Sequence, residues 1–135
     1  PADYAPDARR PLRVLFQVDP VPRTRVVPLL DRMHELLEFG IVGDVRGRGL
    51  MCGFEFVKDR KTKEPFDPAL KVSLRYEQEA FERGLVLFSC SGCVEGVAGD
   101  MMLVTPPLII TRPQVDEMIS IMKEALAAVE VSLPT

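Results

Sequence analysis

The sequence predicts an α+β fold: a small, mainly antiparallel sheet of three to four strands, helices packed on one face, and a helix last. Three observations predict it. Apolar residues recur at spacings of three and four in three separate stretches, short apolar runs fall in two tight pairs between them, and glycine or proline marks most junctions. Strands joined by only a few residues pair antiparallel, because a parallel crossover needs a dozen residues or more.

The first helical stretch is Arg25–Glu38. Val26, Leu29, Leu30, Met33, Leu36 and Leu37 form its apolar face, Pro28 sits in its first turn where proline is tolerated, and Gly40 stops it. Residues 41–46 read as a strand. Gly47-Arg48-Gly49 follows as a turn or bulge, since glycines two apart suit unusual backbone angles. Leu50–Val57 is the next strand, with Leu50, Cys52, Phe54 and Phe56 toward the core and Met51, Gly53, Glu55 and Val57 on the other face. Glu55 is expected to meet a cross-strand partner such as Arg46. Lys58–Pro68, charged and holding two prolines, reads as a solvated loop. Ala69–Arg83 is the second helix, with Gly84 as its C-cap. Leu70, Leu74, Glu77 and Phe81 mark one flank, with Val72, Tyr76 and Ala80 beside it. Val86-Leu87-Phe88 is a short buried strand, Ser89–Asp100 a glycine-rich loop, and Met101–Val104 a strand ending at Thr105-Pro106-Pro107. Thr111 caps the last helix, Pro113 lies just inside it, and Val115, Met118, Ile119, Met122, Leu126 and Val129 form its stripe.

Domain organisation follows from proline. Six of the twelve prolines (Pro1, Pro6, Pro11, Pro20, Pro22 and Pro28) fall in the first 28 residues. Proline removes a backbone donor and fixes φ, so residues 1–24 read as an extended arm, in which Val14-Leu15-Phe16 could form a short edge strand, and 25–135 as the domain. A net charge of -3 gives no electrostatic pull toward nucleic acid or an anionic membrane. No apolar run approaches the roughly 20 residues that cross a bilayer. An odd count of three cysteines argues against a disulfide framework, and no signal-peptide pattern opens the chain. The expectation is a cytoplasmic chain.

Three segments in order resemble a known family. They are Val42-Gly43-Asp44-Val45-Arg46-Gly47-Arg48-Gly49-Leu50-Met51 with Gly53-Phe54-Glu55-Phe56-Val57; Glu82-Arg83-Gly84-Leu85-Val86; and residues 99–111, with Thr105-Pro106-Pro107 at their centre, followed by a helix carrying Asp116-Glu117. Together, over about residues 25–131, they resemble the C-terminal small domain of class III pyridoxal-phosphate-dependent aminotransferases. The resemblance implies a homodimeric parent enzyme that moves an amino group from an amino donor to an oxo acceptor. It places the Schiff-base lysine, the aspartate facing the pyridinium nitrogen and the phosphate cup in a large domain N-terminal to this region. The partners implied are that large domain and small amino and oxo substrates. The chain alone is then expected to bind no cofactor and to be inactive, because its lysines (three between Lys58 and Lys63, then Lys71 and Lys123) read as solvated charge.

The resemblance puts Ser91, Gly92 and Asp100 nearest to substrate. Many relatives carry an arginine in this loop to grip a substrate carboxylate, and Ser89–Thr105 has neither arginine nor lysine. Arg46 and Arg112 are the remaining candidate anion contacts. Gly47 and Gly49 read first as backbone devices, with an anion site at Arg46–Gly49 as the functional alternative. Pro106 and Pro107 read as a rigid corner.

Two other functions stay open: a free-standing binding or assembly module on the same fold, and a small metal or redox protein. The second would use Cys90-Ser91-Gly92-Cys93, with Cys52 and His34 completing a zinc set. No second C-x-x-C supports it and no helix follows to lower a thiol pKa, so reduced thiols and no metal are expected. The acids Asp116-Glu117 and Glu77, Glu79 and Glu82 fall on polar helix faces and read as solvated.

Overall fold

The structure is a computed structural model that describes residues 28–134. The arm at residues 1–24 and the opening of the first helix at 25–27 lie outside them. The elements run α1 (Leu29–Met33), a 3₁₀ turn (His34–Glu38), β1 (Val42–Arg48), β2 (Met51–Phe56), a 3₁₀ turn (Pro68–Leu70), α2 (Val72–Glu82), β3 (Phe88–Val94), β4 (Ala98–Val104) and α3 (Arg112–Ser132). The four strands form one antiparallel sheet in the order β1-β2-β4-β3. The predicted α+β fold, with a closing helix, is what the chain adopts.

The helices lie on one face. From β2, Cys52, Phe54 and Phe56 point toward them, as the alternation predicted, and are buried. The aromatic centre is a triangle of Phe54, Phe56 and Tyr76, with ring centroids 5.2 to 5.4 Å apart and edge-on geometry. Tyr76 donates its hydroxyl to the Met122 carbonyl at 3.3 Å, which joins α2 to α3. Of the two flanks of α2, the one through Val72, Tyr76 and Ala80 faces in, whereas Leu74 and Phe81 are exposed. The stripe of α3 is buried as its spacing predicted.

Several local expectations are corrected. The first helix is α-helical only to Met33 and tightens into a 3₁₀ turn before Gly40. The second is interrupted at Lys71, whose left-handed φ of 50° separates the 3₁₀ turn from α2. Gly47 is no turn residue. β1 continues through it to Arg48, Gly47 pairs with Cys52, and only Gly49-Leu50 forms the turn, with Gly49 at φ +63°. The irregularity in β1 lies at Gly43 instead, between Val42 and Asp44. The largest correction concerns Ser89–Asp100, read as a loop: all but its tip is a β-hairpin. Ser89 to Ser91 pair with Met102 to Asp100, and Val94 pairs with Ala98. Glu95 and Gly96, both at positive φ, make the tight turn, closed by the Val97 amide donating to the Val94 carbonyl at 3.1 Å. Correspondingly, Val86 and Leu87 precede β3 instead of forming it.

The loop after β2 is fastened. The Arg60 guanidinium donates to the carbonyls of Val42 (3.1 Å), Leu37 (2.8 Å) and Phe39, the last two at the end of the first 3₁₀ turn, where carbonyls have no helical partner.

Candidate functional site

The β3–β4 hairpin and the start of α2 enclose a concavity of about 340 Å³. Ser91, Gly92 and Asp100 all line it, together with Lys71, Ser73 and Ser89. The structure therefore brings the three sequence-derived substrate candidates together. Asp100 is buried, at 5% exposure, and its carboxylate is engaged: Oδ1 accepts the Ser73 amide at 3.3 Å and the Ser73 hydroxyl at 2.5 Å. A helix start needs acceptors for its free N–H groups, and Lys71, at the N-cap, makes no side-chain cap. Asp100 supplies the acceptor from the neighbouring strand, where a negative charge also suits the helix dipole. Sequence reasoning missed Ser73 and Lys71. A cap delivered across 27 positions leaves no local pattern, and a lysine at positive φ has no signature.

Arg46 and Arg112 are not brought together. Arg46 lies on the sheet face away from the helices; Arg112 opens α3 in the helix layer. The expected Arg46–Glu55 pair forms, and Asp44 joins it at 2.8 Å. Both carboxylates raise the Arg46 pKa, while the Arg46 hydrogen bond holds Asp44 below its usual value. A guanidinium spent on two carboxylates has few donors left for another anion.

Pro106 and Pro107 follow the end of β4. The Ile110 amide donates to the Pro107 carbonyl at 2.9 Å, so Leu108 and Ile109 form a turn tip, 85% and 87% exposed. The Gln114 Oε1 accepts the Thr111 amide and hydroxyl, both at 2.9 Å, fixing the start of α3. Between this corner and residues 85–88 opens a mostly apolar groove of about 770 Å³, reaching Met118 at its floor.

The cysteines are free. Cys52 is buried, its thiol pushed up by that burial, and it donates to the Gly49 carbonyl at 3.6 Å. Cys93 is exposed, and its thiol is also raised, by partial burial first and by nearby Cys90, Glu55 and Asp100 next. His34 is exposed on the first 3₁₀ turn, 2.8 Å from the Leu30 carbonyl. Among the described residues, no three His, Cys, Asp or Glu side chains gather into a metal-binding group.

Residues 23–126 match the family model of class III aminotransferases. The chain belongs to the class III aminotransferase family. It is 40% identical over 94 residues to the uncharacterized aminotransferase YodT of Bacillus subtilis, covering 70% of this chain and 21% of that protein. It is also 40% identical over 102 residues to the leucine/methionine racemase of Thermococcus litoralis, covering 75% and 20%. Among solved structures, a pyridoxal-phosphate-bound aminotransferase mutant from Vibrio fluvialis superposes with a TM-score of 0.71 at 32% identity, over 82% of this chain and 23% of that one. This class III chain thus spans about a fifth of the length of the relatives it matches.

The cofactor of that solved relative can be tested against the lysines described. A lysine that carries pyridoxal phosphate has to present a neutral amine in a sheltered site. Lys58 is held by Glu64 at 2.9 Å and Lys123 by Glu35 and Glu38 at 2.9 and 3.1 Å, and these bonds raise both pKa values. Lys63 is tied to the Gly43 carbonyl at 2.7 Å, and Lys61 and Lys71 are exposed. None fits the role. No helix among the described residues is long and apolar enough to cross a membrane.

Proposed function

We propose that this chain is the C-terminal small domain of a pyridoxal-phosphate-dependent transaminase and walls one side of the substrate cleft of a longer, homodimeric, cytoplasmic enzyme. The observation that carries this reading is the open apolar groove at the Pro106-Pro107 corner, in a chain whose described lysines are ion-paired, tied to backbone or solvated. The rest of the parent supplies the cofactor and its lysine; this domain supplies shape and polarity. Its contribution to substrate choice is the concavity at Ser91, Gly92 and Asp100. With no arginine in the hairpin, the one cation lining that concavity is Lys71. A substrate carboxylate reaching it meets Lys71 and the hydroxyls of Ser89 and Ser91, Ser73 being bound to Asp100, a weaker grip than a guanidinium fork.

The test is reconstitution. The chain alone, given pyridoxal phosphate, an amine donor and an oxo acid, is expected to transfer no amino group and to show no visible absorption of a lysine-linked cofactor. The same chain joined to the remainder of its parent is expected to do both. Turnover by the chain alone would show that the catalytic lysine has been misplaced.

A further inference from the structure

β3 is an edge strand of the sheet, so alternate amides along it point away from β4, with no strand to receive them. The Ser89 amide is one of these. It donates to Glu77 Oε2 at 3.2 Å, from a helix 12 positions back in the chain. Glu77 is thereby engaged, where its place among the acids of α2 predicts a solvated charge. It stands one helical turn after Ser73, whose amide and hydroxyl both donate to Asp100 on β4. α2 therefore holds both strands of the hairpin: β4 through Ser73 and β3 through Glu77. The spacings agree. Ser91 lies opposite Asp100, and Ser89 is two residues from Ser91, about 7 Å along the strand. The four residues from Ser73 to Glu77 rise about 6 Å along the helix. A helix lying along the hairpin thus delivers one contact to each strand.

These two anchors border the concavity of about 340 Å³ between α2 and the hairpin. Ser89 and Ser91 line it, and Glu77 does not. A residue that does not line the concavity acts on an occupant only through residues that do. The two serine hydroxyls meet an occupant from positions set by the β3 backbone, and a misplacement of about 1 Å in such a position is costly. A carboxylate suits the task of fixing that backbone, since it binds an amide roughly twice as strongly as a neutral oxygen does.

We propose that Glu77 is a positioning residue for the substrate concavity: through the Ser89 amide it sets where the Ser89 and Ser91 hydroxyls meet a substrate carboxylate. This rests on the reading of the concavity as part of a transaminase cleft, and the experiment has two arms that separate the two claims. The first uses the chain joined to the remainder of its parent and follows the donor half-reaction, with no oxo acid present. Glu77→Ala places the strongest helix former in α2 and is expected to fold, as circular dichroism checks. With alanine as donor, the concentration at half-saturation is expected to rise about 10-fold and the limiting rate to stay within about twofold. With 1-phenylethylamine, which has no carboxylate, neither is expected to change. Glu77→Gln keeps an acceptor oxygen and is expected to stay within about threefold of the wild type. The second arm uses the chain alone and reads hydrogen exchange. The Ser89 amide is expected to exchange at least about 10-fold faster in Glu77→Ala, while the amides of α3 keep their rates. No transfer from either donor by the joined wild-type chain overturns the transaminase reading and this proposal with it. Transfer with an unchanged half-saturation in Glu77→Ala, a loss equal for both donors, a Glu77→Gln variant as impaired as Glu77→Ala, or unchanged Ser89 exchange overturns the proposal alone.

Discussion

Asp100 shows how one residue can have two readings. The resemblance places it near substrate, and the structure has it holding the first turn of α2 through Ser73. The capping role has a definite energetic consequence. Removing an N-terminal acceptor costs about 0.5–2 kcal/mol, and here the buried Ser73 hydroxyl also loses its acceptor. Asp100→Ala is therefore expected to lower the urea midpoint clearly and Asp100→Asn, which keeps an oxygen, to lower it less; equal midpoints for all three chains would remove the cap. Acid sensitivity comes from other carboxylates. Asp44 is held below its usual pKa by Arg46, and Asp59 by the amides of Thr62 and Lys61. A depressed folded-state pKa stabilises above the unfolded value of about 3.9 and fades as pH falls through the folded one. The urea midpoint should thus hold steady from neutral pH down to about 5 and drop below about 4, with Asp44→Asn, which cannot titrate, showing a shallower drop. Asp44 is about half exposed, so solvent screens it and its share is small.

At the scale of elements, glycine decides what could be read in advance. Gly47 and Gly49 look alike in the sequence, yet their roles differ. A Cβ on Gly47 would meet the Cys52 Cα and the Met51 carbonyl oxygen at 2.6 Å, whereas one on Gly49 would meet open space. Gly47→Ala collides with backbone and is expected to cost about 2–3 kcal/mol, the upper part of the range for overpacking. Gly49→Ala pays only for its positive φ, about 1 kcal/mol. Chemical unfolding of the two variants orders them, and the reverse order would show that β1 and β2 are not in the observed register. The same ambiguity hid the β3–β4 hairpin. Gly92, Gly96 and Gly99 look like a loop by composition, but each supplies a positive φ inside a ladder: one at the tight turn and two at the bulge. By contrast, the core faces of β2 and α3 were legible, though Leu50 falls in the turn before β2 and Val57 after it, because alternation and a stripe of apolar residues survive tertiary context. The site was half legible. Ser91, Gly92 and Asp100 came together, while Lys71 and Ser73 depend on a contact between distant segments, which periodicity does not encode.

For the molecule as a whole, the open question is what covers its bare apolar surface. The helix layer buries one face of the sheet; the other face and the end beyond β4 leave Met51, Val86, Phe88, Leu108 and Ile109 exposed. Scattered apolar residues need no explanation, but a contiguous set around a groove does. Val86, Phe88 and Ile109 fall on one such groove, beside a corner stiffened by two prolines, with exposed Leu108 next to Ile109 in the chain. A free-standing module has no use for such a surface unless a second copy covers it; a domain of a longer enzyme places the remaining four-fifths of the polypeptide against it. Exchanging Leu108 and Ile109 for serine separates these readings. Both side chains are nearly fully exposed, so the double variant should unfold within about 0.5 kcal/mol of the wild-type chain, as surface changes do. If the groove docks the rest of the parent, the same variant should bind that remainder at least about tenfold more weakly, a loss of roughly 1.4 kcal/mol. If it docks a second copy, the wild-type chain alone should sediment as a dimer and the variant as a monomer. Unchanged association in both measurements would show that the groove docks neither, and the assignment of this chain as one wall of a larger cleft would lose its main support.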